Sequence, residues 1–131
     1  MTNYLKVAYR KVYFKYLLTI IWTLIITYLS LAQIPDNKEI KIDIPHLDKI
    51  VHFMMYFIYT LLLHIETKKI NKKSAIALIA LYSISFGLLM EFCQTYLFSY
   101  RSGEFFDFIF NTLGVLSAIA IYPKLHKITK T

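Results

Sequence analysis

The run Tyr16–Pro35, YLLTIIWTLIITYLSLAQIP, carries no charged residue in twenty positions. Twenty residues of α-helix at ~1.5 Å each reach ~30 Å, the thickness of a bilayer's hydrocarbon core. A soluble amphipathic helix of that length shows a polar face, and this run has none. In lipid, the backbone polar groups of such a segment must be satisfied within it, so it is expected to be a helix.

Three more apolar runs follow. Ile50–Ile65, IVHFMMYFIYTLLLHI, is short, but Lys49 and the lysines beyond it can extend their ammonium groups to the headgroups. Ser74–Tyr100 is long enough to tilt and contains Glu91. Phe105–Tyr122 ends at Pro123, which is read as a helix stop. Composition agrees: 57% of residues are hydrophobic and 18% charged, where soluble domains have ~45–50% and ~25%. The expected fold is all-α, a four-helix transmembrane bundle forming one domain over residues 1–131. Its helices are expected near 14–34, 49–65, 74–98 and 105–123. The first run is too long for the core of a cleavable signal and is expected to remain as an anchor.

The formal charge of +7 is distributed by loop. Lys6, Arg10, Lys11 and Lys15 precede the first run. Lys68, Lys69, Lys72 and Lys73, opposed by Glu66, separate the second and third, and Lys124, Lys127 and Lys130 follow the fourth. The Asp36–Lys49 connection is mixed, with Asp36, Glu39, Asp43 and Asp48 against three lysines, and the Arg101–Glu104 turn is balanced. By the positive-inside rule this places both termini in the cytoplasm, N-in and C-in, in the cytoplasmic (inner) membrane. The basic charge is then topological. The expected partner is the lipid bilayer, and no nucleic acid. The basic, aromatic stretch YLKVAYRKVYFKY is expected along the inner headgroups. The segment EIKIDIP fits either a short strand or an amphipathic surface stretch. A single cysteine, Cys93, excludes an internal disulfide and a cysteine-based zinc site.

This topology gathers the intramembrane polar residues in the outer half. Asp48, Lys49 and His52 begin the second helix, Glu91 and Gln94 lie late in the third, and Asp107 and Asn111 occupy the first turns of the fourth. Asp48 and His52 are four apart and share a face. So do Ser83, Gly87, Glu91 and Gln94, and likewise Asp107, Asn111, Gly114 and Ala118. Small residues at Gly87, Gly114 and Ala118 permit close helix approach. Charges within membrane helices usually face the bundle interior or a wet cavity. An outward-open polar pocket is expected from Asp48, Lys49, His52, Glu91, Gln94, Arg101, Asp107 and Asn111. Plainer roles stay open: Glu91 as a neutral strut, Asp107 as a helix N-terminal charge, Asn111 as a packing amide, His52 as an interfacial histidine, Lys49 and Arg101 as headgroup anchors. His46, His64 and His126 are read as structural.

Two kinds of function fit, and a third, transport, fits less well. The pocket can bind an anionic lipid-linked molecule, an envelope precursor for example, with Lys49 and Arg101 meeting the anion. It can be an intramembrane enzyme acting on a phosphoester or glycosyl lipid, in which Glu91 and Asp107 work as acid and base and His52 shuttles a proton. A transport route needs polar groups through the whole membrane, and these stop in the outer half. No cofactor motif is present. A metal-assisted variant would use His52, Glu91 and Asp107, but the three lack a close-spaced ligand motif, and no metal is expected.

Three segments in order carry a resemblance: LDKIVHFMMYFIYTLLL, GLLMEFCQTYL and RSGEFFDFIFNTLGVLSA. Together they resemble the VanZ-like family of small bacterial membrane proteins. The pattern D-K-x-x-H-F-x-x-Y falls on Asp48, Lys49, His52, Phe53 and Tyr56. The pattern G-x-x-x-E-x-x-Q falls on Gly87, Glu91 and Gln94, and the last pattern on Arg101, Asp107, Asn111 and Gly114. The likeness covers residues 16–122, and the Pro-Gly turn common before the arginine is replaced here by LFSY. The resemblance implies a multi-pass protein of the cell envelope in a family named for resistance to the glycopeptide teicoplanin.

Overall fold

The structure is a computed structural model that describes residues 15–32, 46–67, 72–98 and 104–128. It contains four α-helices: α1 Leu17–Leu31, α2 Leu47–Thr67, α3 Lys73–Tyr96 and α4 Phe105–Ile128. No strand occurs among the described residues, and the chain is all-α. α2, α3 and α4 are each long and apolar enough to cross a membrane. The 15 uncharged residues of α1 belong to an expected segment, 14–34, that continues past the described residues at both ends. Residues 4–14 of the N-terminal basic stretch, the EIKIDIP segment and Arg101 lie outside the described residues.

The burial pattern is inverted relative to a soluble bundle. Eleven buried polar or charged residues stand against nine buried hydrophobic ones among the described residues, so the interior holds much of the polarity. α1 turns Thr19, Ile26 and Ser30 inward while Leu24 and Tyr28 stay exposed. α3 buries Ser83, Gly87, Glu91 and Gln94 and exposes Leu78, Leu81, Leu88 and Phe92. A surface of Leu, Phe and Ile around a polar interior suits lipid as the outer solvent. α2 buries His52, Tyr56, Thr60 and His64, a single row four residues apart.

α2 and α4 form the most extensive helix pair. They run in the same direction, with Lys49 meeting the start of α4 and Tyr122 stacking on His64 at the far end. Gly114 makes the approach possible. A β-carbon there would overlap the Phe53 carbonyl oxygen and stand 3.0 Å from the Phe57 amide nitrogen. Tyr56, Tyr59, Met55, Met90, Val115 and Ile26 fill the centre, and Phe86 of α3 packs on both tyrosine rings.

Polar bonds fasten α1 to its neighbours. The carboxylate of Glu66, near the end of α2, accepts the Leu18 and Thr19 amides at 3.1 and 3.3 Å. These are first-turn N–H groups with no partner inside their own helix. At the other end of α1, Gln94 donates to the Ser30 carbonyl at 2.8 Å, one of the last-turn acceptors. Between them, the Trp22 indole donates to the Met55 carbonyl at 2.9 Å. Glu66→Ala is therefore expected to loosen α1, since an unsatisfied buried donor costs about 1–3 kcal/mol. Amide exchange at Leu18 and Thr19 should accelerate at least tenfold in nanodiscs. Glu66→Gln keeps an acceptor oxygen and should change it little. Equal exchange in both variants would show that the carboxamide cannot replace the carboxylate here.

One helix end differs from expectation. The sequence stops the fourth helix at Pro123, whereas α4 continues through it to Ile128. Proline's fixed φ is compatible with helix, and its cost is a lost hydrogen bond and a ring clash. Pro123 is exposed, which leaves its ring out of the packing, and membrane helices tolerate proline by local adjustment of the freed carbonyl.

Candidate functional site

The first turns of α2 and α4 and the last turns of α3 meet at one end of the bundle. α2 and α4 both present their N-termini there, the positive ends of their dipoles, and each carries an acid in its first turn, Asp48 and Asp107. Lys49 lies among the acids. Its ammonium contacts Glu104 at 2.6 Å, Asp48 at 2.7 Å and Asp107 at 2.8 Å. An ammonium has three donors, and these three carboxylates can occupy all of them. Asp48 and Glu104 are more than half exposed, while Asp107 is almost buried. Lys49 thus joins the surface to the interior.

Asp107 divides its two oxygens. Oδ1 takes Lys49, and Oδ2 stands 3.7 Å from Nε2 of His52. The opposite nitrogen of the ring, Nδ1, is 3.1 Å from Oδ1 of Asn111 and 3.7 Å from Oε1 of Glu91. Asn111 completes the network by donating from Nδ2 to Glu91 Oε1 at 3.2 Å. His52, Glu91, Asp107 and Asn111 are all buried. The imidazole therefore lies between two carboxylates from two other helices, with an amide bridging it to one of them. His52, Glu91 and Asp107 each offer one metal-ligating atom, all within 4.8 Å of one another. Asp48, Glu104 and Asp107 form a second such group, two of its members exposed.

The residues expected to form one pocket are partly united. Asp48, Lys49, His52, Glu91, Asp107 and Asn111 come together as one network. Gln94 takes another direction, its amide tying α3 to the end of α1. Arg101 lies outside the described residues. Two carboxylates have roles that the sequence did not single out, and one of them joins the network. Glu104 is three residues before Asp107 and reaches Lys49 from the same side; that spacing was its only signal. Glu66 is buried at the opposite end, where its place among lysines makes it look like a loop charge. Of the other histidines, His64 is buried against Tyr122 with ring centroids 4.8 Å apart. His46 is exposed at the start of α2. His126 lies near Tyr122, at 6.1 Å.

A cleft of about 380 Å³ opens between α1, α2 and α3, with Thr19, Thr23, Tyr59, Leu63 and Tyr82 in its walls. It belongs to the half of the bundle away from His52 and contains no charged side chain. Acidic and basic side chains gather in the His52 network instead, and that network is the candidate site.

No solved structure matches the chain. An uncharacterised protein of Schizosaccharomyces pombe is 30% identical over 128 residues, covering 97% of this chain and 72% of the yeast protein. The VanZ/LLP1 family model matches residues 4–127, which takes in all four helices and every member of the polar network. The chain belongs to the VanZ/LLP1 family.

Proposed function

We propose that the network binds the headgroup of an anionic lipid-linked molecule at the outer face of the cytoplasmic membrane. The observation that carries this is the burial of charged side chains from three membrane helices in one connected network at one end of the bundle. Charge at that position is costly and is commonly retained for function. The lysine-rich connections adjoin the opposite end, where Leu17 and Ile128 also lie, and the positive-inside rule assigns that end to the cytoplasm. A relative in a fungus favours a ligand chemistry shared by many membranes, so glycopeptide resistance is not taken as the task.

The geometry also gives a route for the anion. Lys49 is already held by three of the protein's own carboxylates. Two of them, Asp48 and Glu104, are exposed and screened by solvent, which makes them weak partners. An incoming phosphate exchanges with these two, while buried Asp107 keeps Lys49 in place. Retention of phosphatidic acid against phosphatidylcholine, by native mass spectrometry from nanodiscs, tests the exchange. Glu104→Gln removes a competitor and should raise phosphatidic acid retention severalfold. Lys49→Met should bring it to the phosphatidylcholine level. Retention unchanged in Lys49→Met would refute headgroup binding at this site.

A second reading has its own observation, the placement of His52 between Glu91 and Asp107. Two carboxylates flanking an imidazole can act as acid and base on a phosphoester or glycosyl lipid. Under that reading Glu91→Gln and Asp107→Asn each abolish turnover, and turnover that survives both would remove it.

A further inference from the structure

The cleft in the half of the bundle away from His52 has a floor and a rim of different kinds. Thr19 of α1 and Tyr59 of α2 are buried at its floor, with Leu63 of α2 partly buried beside them. Ile20 and Leu24 of α1 and Tyr82 of α3 form its rim and are exposed. The helices that carry the rim also expose Leu17, Leu78 and Leu81, so the cleft opens into the apolar surface that suits lipid.

Its depth matches one leaflet. The walls supplied by α1 run from Tyr16 to Leu24, which is ~12 Å along a helix. Half of a bilayer's ~30 Å hydrocarbon core is ~15 Å. Because α1 begins at Leu17, the cleft lies at the depth of the acyl chains in the leaflet at the lysine-rich end. A chain from the opposite leaflet would have to cross the midplane to reach it. A volume of about 380 Å³ is near the small end of ligand sites, ~300–1,000 Å³, and suits a single chain.

The mouth carries the charge that a phosphate needs. Lys15 is exposed, and its ammonium stands 5.2 Å from the ring centre of Tyr16, itself a wall residue. Lys72 and Lys73, also exposed, open α3 at the same end. Among the described residues Glu66 is the only acid there. It is buried, and its carboxylate is turned onto the Leu18 and Thr19 amides. Basic side chains at a membrane surface attract anionic lipid.

We propose that this cleft holds one acyl chain of an anionic phospholipid from the leaflet at the lysine-rich end, with the phosphate at Lys15. The site is at the opposite end from the Lys49 network and does not depend on it. The chain fills the gap between α1 and its neighbours, which are joined elsewhere by the hydrogen bonds of Glu66, Trp22 and Gln94.

The test uses the full chain in phosphatidylcholine nanodiscs doped with a photoreactive lipid whose diazirine sits mid-chain. The probe is phosphatidylglycerol in one sample and phosphatidylcholine in the other. After irradiation and digestion, mass spectrometry should find Ile20, Leu24 or Leu63 labelled severalfold more by the phosphatidylglycerol probe. Leu88 and Leu116, exposed outside the cleft, should be labelled equally by both. Leu63→Trp fills the cleft and should lower wall labelling severalfold. Ile20→Trp does so from the rim and serves if Leu63→Trp protein is not recovered. Lys15→Gln should lower the preference for phosphatidylglycerol severalfold. Equal wall labelling by the two probes in wild type overturns the anionic lipid. Wall labelling unchanged in the tryptophan variants overturns the cleft as its place, and a preference kept in Lys15→Gln overturns the position of the phosphate. Walls that neither probe labels, while Leu88 is labelled, overturn the proposal and give the cleft to protein, another segment of this chain or a second copy.

Discussion

Gly114→Val is expected to prevent the bundle from forming, so that little monodisperse protein is recovered from membranes. A single β-carbon at this position would already overlap the Phe53 carbonyl oxygen, and the Phe57 amide nitrogen is 3.0 Å away. Both obstacles are backbone of α2, held by its own hydrogen bonds, and cannot rotate aside. Relief requires α2 and α4 to separate, and theirs is the most extensive interface in the fold. Overpacking commonly costs ~1–3 kcal/mol, and rigid neighbours place this case at or above the upper end. Separation would also pull Asp107 and Asn111 away from Lys49 and His52. Gly87 provides the control. A β-carbon there meets the edge of the Tyr56 ring at 3.2 Å, a side chain that needs to shift by only a few tenths of an ångström, and Asn111 Cβ at 3.4 Å, an ordinary van der Waals contact. Gly114→Ala should therefore lower the unfolding midpoint in detergent by clearly more than Gly87→Ala. Equal losses would show that α2 and α4 do not depend on backbone contact at Gly114.

Much of this arrangement can be read from the residues. Lack of charge over Tyr16–Pro35 marks an apolar helix, and the alternation of basic connections orders the helices up and down. That alternation is enough to bring the starts of α2 and α4 to the end of α3, which is where His52, Asp107 and Glu91 meet. The partners within the cluster are less legible. Lys49 looked available to an anion, yet it meets three acids of its own chain. Spacing orders residues along one helix and does not set distances across to another. Gln94 illustrates the angular limit. Three residues turn a helix by ~300°, leaving Gln94 about 60° from Glu91. The face of α3 is wide enough to touch two helices, so Glu91 bonds Asn111 of α4 and Gln94 bonds Ser30 of α1. Glu66 was hidden by its lysine neighbours, because the sequence ends the second helix at 65 and α2 continues to Thr67.

Asn111→Leu is expected to destabilise the protein markedly although the side chains are similar in volume. The amide gives one hydrogen bond to Glu91 and shares a second with the His52 ring. Leucine removes both at once, and each buried group that loses a partner costs on the order of 1–3 kcal/mol. If Asn111 were only a packing amide, leucine would be neutral or better, since its hydrocarbon needs no partner in a buried position. Asn111→Asp separates the two bonds. It keeps an oxygen for the His52 N–H but removes the donor to Glu91 and sets two carboxylates against each other in a site shielded from water. Like charges at such range repel strongly where the dielectric is low. At neutral pH in detergent, the expected order of unfolding midpoints is wild type, then Asn111→Leu, then Asn111→Asp. Phosphatidic acid retention should fall in both variants, because His52 loses its fixed orientation in the first and Glu91 is displaced in the second. An Asn111→Leu protein that melts with wild type would contradict the bridging role and reduce the network to the contacts of Lys49.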